Sequence, residues 1–255
     1  PLMPFDGAIY AAGRREGRTQ VLKLSADNTA TSVKRLLWSY PFEAYPLAEP
    51  IIVAPVGSGT RVCVIESHAP FDSGGLLWCL SADDGHALWK QPLAKASVGP
   101  AVDAKQVVVW SSPDLLQTFD LANGASMWKK SIAGSRAVGA PTIASNIVFA
   151  ATETHLVALD GPTGKLLWKV LLSKKPTSGP FVEGQHVIFP HGDQHALHSI
   201  VDGALLSSRP ATDESDGWPI PNDVGTPATP RVALKGRVYF GTTQGTVICL
   251  GADSP

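Results

Sequence analysis

Short apolar runs alternate with clusters of Gly, Pro, Asp, Asn and Ser along nearly the whole chain. The clearest unit spans residues 155–168, HLVALDGPTGKLLW. His155 to Leu159 reads as a strand, and Lys165 to Val170 reads as a returning strand that carries Trp168. Between them, Asp160-Gly161-Pro162-Thr163-Gly164 concentrates turn formers: Asp bonds nearby backbone, Pro fixes φ and Gly permits positive φ. The pattern recurs. Turn glycines stand at Gly85, Gly124, Gly164 and Gly203, so successive spacings are 39, 40 and 39. Trp89, Trp128 and Trp168 follow three of those turns at spacings of 39 and 40.

Upstream of each hairpin lies a step of small residues and proline: Glu49-Pro50, Gly99-Pro100, Gly139-Ala140-Pro141, Gly179-Pro180 and Gly225-Thr226-Pro227. A second apolar run follows most of these steps: Val107 to Trp110, Ile147 to Ala150, His186 to Phe189 and Arg237 to Phe240. Each period therefore holds four short strands. A repeat of about 40 residues built from four strands is the signature of a propeller blade.

The hairpin also resembles the repeat of the pyrroloquinoline-quinone-like (PQQ-like) propellers, roughly Ala-x-Asp-x-x-Thr-Gly-Lys-x-x-Trp. Ala158, Asp160, Thr163, Gly164, Lys165 and Trp168 match in full. Phe119-Asp120, Gly124 and Trp128 match in part, as do Gly85 and Trp89. The resemblance implies an all-β propeller and covers nearly the whole chain, but a repeat is not an activity.

Phased on this pattern, the chain is expected to be one propeller domain over 1–255, with blades at about 1–47, 48–96, 97–136, 137–176, 177–222 and 223–255. The first blade has a long turn at Ser25 to Lys34, and the second a long loop at His68 to Gly75. The fifth blade reads as degenerate: its turn looks shortened to Val201-Asp202-Gly203, with Leu206 at the tryptophan position. An acidic, Pro-containing connection follows, from Asp213 to Pro219. The sixth blade lacks a fourth strand. The expectation is a six-bladed ring with an incomplete last blade; six blades of a seven- or eight-bladed ring satisfy the same pattern. The last blade's edge is closed by Pro1 to Pro4, by residues outside this chain, or left three-stranded.

Composition narrows the function classes. Formal net charge is −1 with 17% charged residues, so there is no footprint for nucleic acid or a polybasic membrane patch. No apolar run approaches the ~18 residues that span a bilayer, so direct membrane insertion is not expected. The chain starts at Pro1 with neither an initiator Met nor a signal-peptide pattern, and reads as a mature or excised piece of something longer, from which any targeting segment would have been lost.

Three cysteines, Cys63, Cys79 and Cys249, make no disulfide framework. Cys63 and Cys79 flank a hairpin whose tip lies near Phe71 and are placed to face each other across two strands. Cys79 and Cys249 share the repeat slot of Thr118 and Ala158, so packing of small residues is the expected role.

Candidate chemistry is sparse. The family name suggests a quinone dehydrogenase, whose quinone sits over the ring centre beside a calcium and a catalytic Asp. The acids Glu49, Asp103, Glu153 and Glu183 read as solvated rims rather than a calcium cage. His186, His191, His195 and His198, with Asp193, suggest a metal site at first sight. Yet strand alternation sends His195 and His198 to opposite faces, and His195 takes the hairpin position of His155. Gly57-Ser58-Gly59-Thr60 lacks the lysine of a phosphate loop and reads as a hairpin turn. No catalytic, cofactor-binding or metal residue is therefore nominated. The recurring tryptophans read as inter-blade anchors; Trp110 and Trp218 break the pattern, and Trp218 is the candidate partner-contacting residue.

The resemblance implies a non-enzymatic binding module or scaffold engaging a protein or ligand through its loop face. Family members serve as assembly factors at the bacterial outer membrane or as accessory domains, which implies an extracytoplasmic location. The alternative it carries is a quinone-dependent oxidoreductase or a propeller fragment of one.

Overall fold

The computed structural model describes residues 2–15, 18–26, 35–42, 46–56, 59–67, 74–95, 98–132, 136–191, 194–210, 232–234, 237–241 and 247–250. The fold is an all-β propeller, built from antiparallel sheets that each follow chain order. Two compact units divide it at Ala133/Gly134.

The first unit holds three four-stranded sheets. They comprise β1 (Leu2–Phe5) to β4 (Leu36–Phe42), β5 (Pro46–Val56) to β8 (Ala87–Leu93), and β9 (Ala101–Val102) to β12 (Ser126–Ser131). Between the ends of these runs lie β2 (Ala8–Arg15), β3 (Arg18–Ser25), β6 (Gly59–Ser67), β7 (Gly75–Ser81), β10 (Gln106–Ser112) and β11 (Leu115–Asp120). Leu2–Phe5 pairs with β2, so the N-terminal residues build the first sheet rather than completing the last. The Glu49-Pro50 step falls where the register of β5 slips against β6, a position that tolerates the missing proline N–H.

The second unit holds two four-stranded sheets and a three-stranded one. They comprise β13 (Thr142–Ala144), β14 (Ile147–Ala151), β15 (His155–Asp160) and β16 (Leu166–Leu171); β17 (Phe181–Glu183), β18 (His186–His191), β19 (Gln194–Ser199) and β20 (Leu205–Pro210); and β21 (Val232–Leu234), β22 (Arg237–Gly241) and β23 (Val247–Leu250).

Both faces of the middle strands are apolar where a sheet packs between two others, as the second does. In the second sheet, Val62, Val64, Leu80 and Ala82 pack on Tyr10, Val21 and Trp38 of the first. The alternate residues Cys63, Ile65, Leu77 and Cys79 pack on Val107, Val109, Phe119 and Leu121 of the third. This period-2 split explains continuous apolar runs without helical periodicity. In the second unit, Phe149, Leu156, Ala158 and Trp168 likewise meet Val187, Phe189, Ala196 and Ile200.

The third-to-fourth-strand turn is nearly invariant. Gly85, Gly124, Gly164 and Gly203 donate to the carbonyls of Ser81, Asp120, Asp160 and Ser199 at 2.9, 2.8, 2.8 and 3.0 Å. The carbonyls of His86, Ala125, Lys165 and Ala204 in turn accept from the N–H groups of those same four residues. The first turn residue reinforces its own loop: Asp120 Oδ1 accepts from the N–H groups of Ala122 and Asn123, and Asp160 Oδ2 from that of Thr163. The turn at Ser199 to Ala204 makes the same bonds as the other three, so it is not shortened as the sequence suggested. That corrects the phase of β20. Leu197 pairs with Ser207 where Ala158 pairs with Trp168, so Ser207 and not Leu206 occupies the tryptophan position. Leu206 matches Leu167 instead, and both are exposed. A leucine beside the slot drew the reading one residue off.

Between sheets, the tryptophan of one blade docks on the turn of the next. The Nε1 of Trp38 donates to the Ala82 carbonyl at 2.9 Å, that of Trp89 to Leu121 at 3.0 Å and that of Trp168 to Ile200 at 3.0 Å. Each acceptor lies three residues before the turn glycine, namely Gly85, Gly124 and Gly203. Gly139 and Gly179 explain the small-residue steps: a Cβ on Gly139 would sit 2.0 Å from the Gly179 nitrogen. Only glycine permits that approach.

Candidate functional site

Trp218 and the Asp213 to Pro219 connection lie outside the described residues, as do most of the long turn at Ser25 to Lys34 and of the loop at His68 to Gly75. The described surface offers three other features.

The first is the fourth strand of four blades, which leaves apolar side chains in solvent. Leu37, Met127, Leu167 and Leu206 each sit immediately before the tryptophan position, and all are exposed. The concentration is greatest in the second unit, where Leu171 is 73% exposed and Leu205 59%. On β16 the residues Leu167, Lys169 and Leu171 are all exposed. Exposed leucines are unremarkable singly, but a row at one register on edge strands is suited to contact with another chain.

The second is an open cleft lined by Ala137, Val138, Gly139, Glu153, Lys175, Pro176 and Thr177. Lys175 Nζ donates to Glu153 Oε1 at 2.8 Å, and that bond, with the lysine charge, lowers the Glu153 carboxyl pKa. The pair is exposed and contributes little to stability.

The third was missed by sequence reasoning. Trp78 donates to Glu66 Oε2 at 2.6 Å. Its ring packs on Tyr40 and Phe42, and Lys90 Nζ lies 4.8 Å from the ring centroid. These residues come from β4, β6, β7 and β8, so no local motif announces them.

The described candidate acids have partners or surroundings of their own. Asp103 Oδ1 caps its own turn by accepting from the N–H groups of Lys105 and Gln106. Glu153 is held by Lys175. Glu183 is half-buried at the end of β17, not a solvated rim, and burial raises its carboxyl pKa. Glu49 lies on β5, and its side chain is outside the described residues. The described carboxylates therefore do not fit the quinone's metal, and no step is derived through that group.

Among the candidate histidines, His198 has a local explanation. His198 is buried, and its Nδ1 donates to the Gly203 carbonyl at 2.8 Å while its ring stacks on Phe189. Burial lowers its pKa, with the Gly203 bond opposing. With Ser199 at the turn position of Asp160, His195 matches Leu156 and not His155; Gln194 is the counterpart of His155. The slip has the same origin as that at Leu206. Among the described residues no group of three or more His, Cys, Asp or Glu could hold a metal ion. No described helix is long and apolar enough to cross a membrane.

Comparison with known proteins supplies the context for these surfaces. Over 95 residues the chain is 30% identical to the outer membrane protein assembly factor BamB of Burkholderia pseudomallei (strain K96243), an alignment covering 37% of this chain and 23% of that protein. The chain thus spans less than a quarter of that curated relative. Among solved structures, BamB from Moraxella catarrhalis superimposes with a TM-score of 0.60 at 16% identity, covering 100% of this chain and 94% of that one. The computationally designed Ika8 protein gives 0.65 at 14% identity, covering 98% and 70%. At these identities the likeness speaks for the fold. The sequence itself matches the family described as outer membrane protein assembly factor BamB over residues 9–153 and again over 73–255, and this PQQ-type repeat protein belongs to that family.

Proposed function

We propose that the chain is a non-enzymatic binding module that engages a protein partner in outer membrane protein assembly, working outside the cytoplasm. The family match over residues 9–153 and 73–255 carries this reading. The physical picture agrees: docked sheets give a rigid frame, and Asp103, Asp120, Asp160 and His198 bond within their own hairpins. We place the principal contact at the Asp213 to Pro219 connection, because departures from a repeat template collect on the binding face and Trp218 supplies aromatic area. The exposed leucines of β16 are a second surface.

Affinity capture from the native source with wild type, Trp218→Ala and Leu167→Glu/Leu171→Glu tests the reading. The expected capture is a component of outer membrane protein assembly, lost with Trp218→Ala and kept by the leucine variant. Loss only with the leucine variant moves the contact to the blade edges. A stoichiometric quinone in protein purified from that source overturns the reading in favour of an oxidoreductase.

A further inference from the structure

Cys63 and Cys79 are direct cross-strand partners within an uninterrupted ladder that runs from Arg61↔Ser81 to Ser67↔Gly75. Both are free thiols and fully buried, on the face of the second sheet that packs against the third. Residues directly opposite on antiparallel strands have Cα atoms about 4.5 or 5.5 Å apart, depending on the ladder position. A disulfide accepts Cα separations of about 4.4–6.8 Å, so either geometry suits one without moving a strand. The equivalent pairs in the other sheets are Tyr10–Lys23, Val108–Thr118, Phe149–Ala158, Ile188–Leu197 and Tyr239–Cys249. None of those can be bonded. Only the second sheet places two sulfurs in the slot.

We propose that Cys63 and Cys79 join as a cross-strand disulfide when the chain folds in the presence of a disulfide oxidant, stapling β6 to β7 beneath the hairpin tip. One thiolate attacks the oxidant's disulfide, releasing one thiol and leaving a mixed disulfide on the chain. The second cysteine then displaces the remaining thiol. Two protons and two electrons leave the cysteines, and the oxidant departs as two thiols. The step belongs to folding rather than to the finished structure. In the folded interior the hydrogen bond to Cys79 and burial hold the Cys63 pKa well above the ordinary thiol range. The nucleophilic thiolate is therefore scarce there, and the packed sheets keep oxidant out. The same burial shields the closed bond from reductant. The link fixes the register of the hairpin that carries the His68 to Gly75 loop, where a one-residue slip would turn every side chain to the wrong face. It holds whether or not the proposed binding function does.

The test is refolding from denaturant in a mixture of oxidised and reduced glutathione, then acid quench, unfolding, alkylation and peptide mass mapping. The expected product has one alkylated cysteine, Cys249, and a linked Cys63–Cys79 peptide. It should melt about 5–10 °C above protein refolded with reductant. Cys249→Ser should oxidise identically, and Cys63→Ala/Cys79→Ala should lose the response to oxidant. The wild-type peptide map decides the matter even if that double variant fails to fold. Three alkylated cysteines, stable glutathione adducts on Cys63 or Cys79, or a link through Cys249 would overturn the proposal.

Discussion

The indole of Trp168 occupies the space that a side chain on Gly203 would need: a Cβ built there lies 2.6 Å from Cε3 of the ring. Trp38 stands in the same relation to Gly85, and Trp89 to Gly124. The turn glycine thus serves twice. Its positive φ closes the hairpin of its own blade, and its bare backbone receives the aromatic ring of the preceding one. The tryptophan Nε1, bonded to the carbonyl three residues earlier, fixes the ring's direction. Tryptophan and glycine keep a constant offset in sequence because a blade such as the second both docks, through Trp89, and is docked upon, at Gly85.

Removing an anchor should therefore be costly. Trp168→Ala is expected to lose ~3–5 kcal/mol, because stiff strands cannot close the cavity. Leu206→Ala, at an exposed position one residue from the true slot, should change stability by less than ~0.5 kcal/mol. Urea denaturation followed by far-ultraviolet circular dichroism measures both. Equal losses would remove the anchor role.

Gly203→Ala attacks the same joint from the other side. Its φ of 74° lies in the left-handed region, which alone costs about 1–2 kcal/mol for a residue with a Cβ. The clash with Trp168 adds to that. In a Trp168→Ala background the clash with the ring is gone and only that with Val170 Cγ2 at 2.9 Å remains, so the added cost of Gly203→Ala should shrink by about 1 kcal/mol or more. Strict additivity in a double-mutant cycle would show that ring and glycine do not touch.

This joint explains how much the sequence could reveal. Blades, hairpins and anchors were legible because turn and docking repeat the same residue types at fixed offsets. The fifth blade misled by one residue because Leu206 offered hydrophobicity next to the slot, while the true occupant, Ser207, carries no such signal. His198 was equally opaque: its match to the buried Leu159 depends on register, not on composition. The cluster around Trp78 joins four strands, so no spacing along the chain encodes it.

That cluster gives a further prediction. Lys90 lies over the Trp78 ring, and a cation in this position contributes about 0.5–1 kcal/mol at an exposed site. Lys90→Gln should lose about that amount, whereas Lys90→Arg should retain it. Trp78→Phe keeps an aromatic ring but removes the N–H that donates to the buried Glu66 carboxylate, and should cost about 1–3 kcal/mol. Thermal melts of the three variants discriminate: a larger loss for Lys90→Gln than for Trp78→Phe would make the cation, not the hydrogen bond, the stronger element.

The final prediction concerns acid. His198 is buried beside Phe189 with Nδ1–H given to the Gly203 carbonyl, and burial depresses its pKa below the usual 6.5. The folded chain therefore prefers the neutral ring, while the unfolded chain takes up a proton once the pH falls below about 6.5. In that window the unfolded state binds more protons, so stability falls with falling pH. The contribution is complete above the unfolded value and lost as the pH drops through the depressed folded value. His198→Leu places the residue found at the equivalent Leu159 and removes the titration, though it also removes the bond to Gly203. The variant should therefore be less stable at pH 8 yet lose less stability between pH 7 and 5 than wild type. Parallel slopes for the two proteins across that range, measured by urea denaturation, would show that His198 carries none of the acid sensitivity.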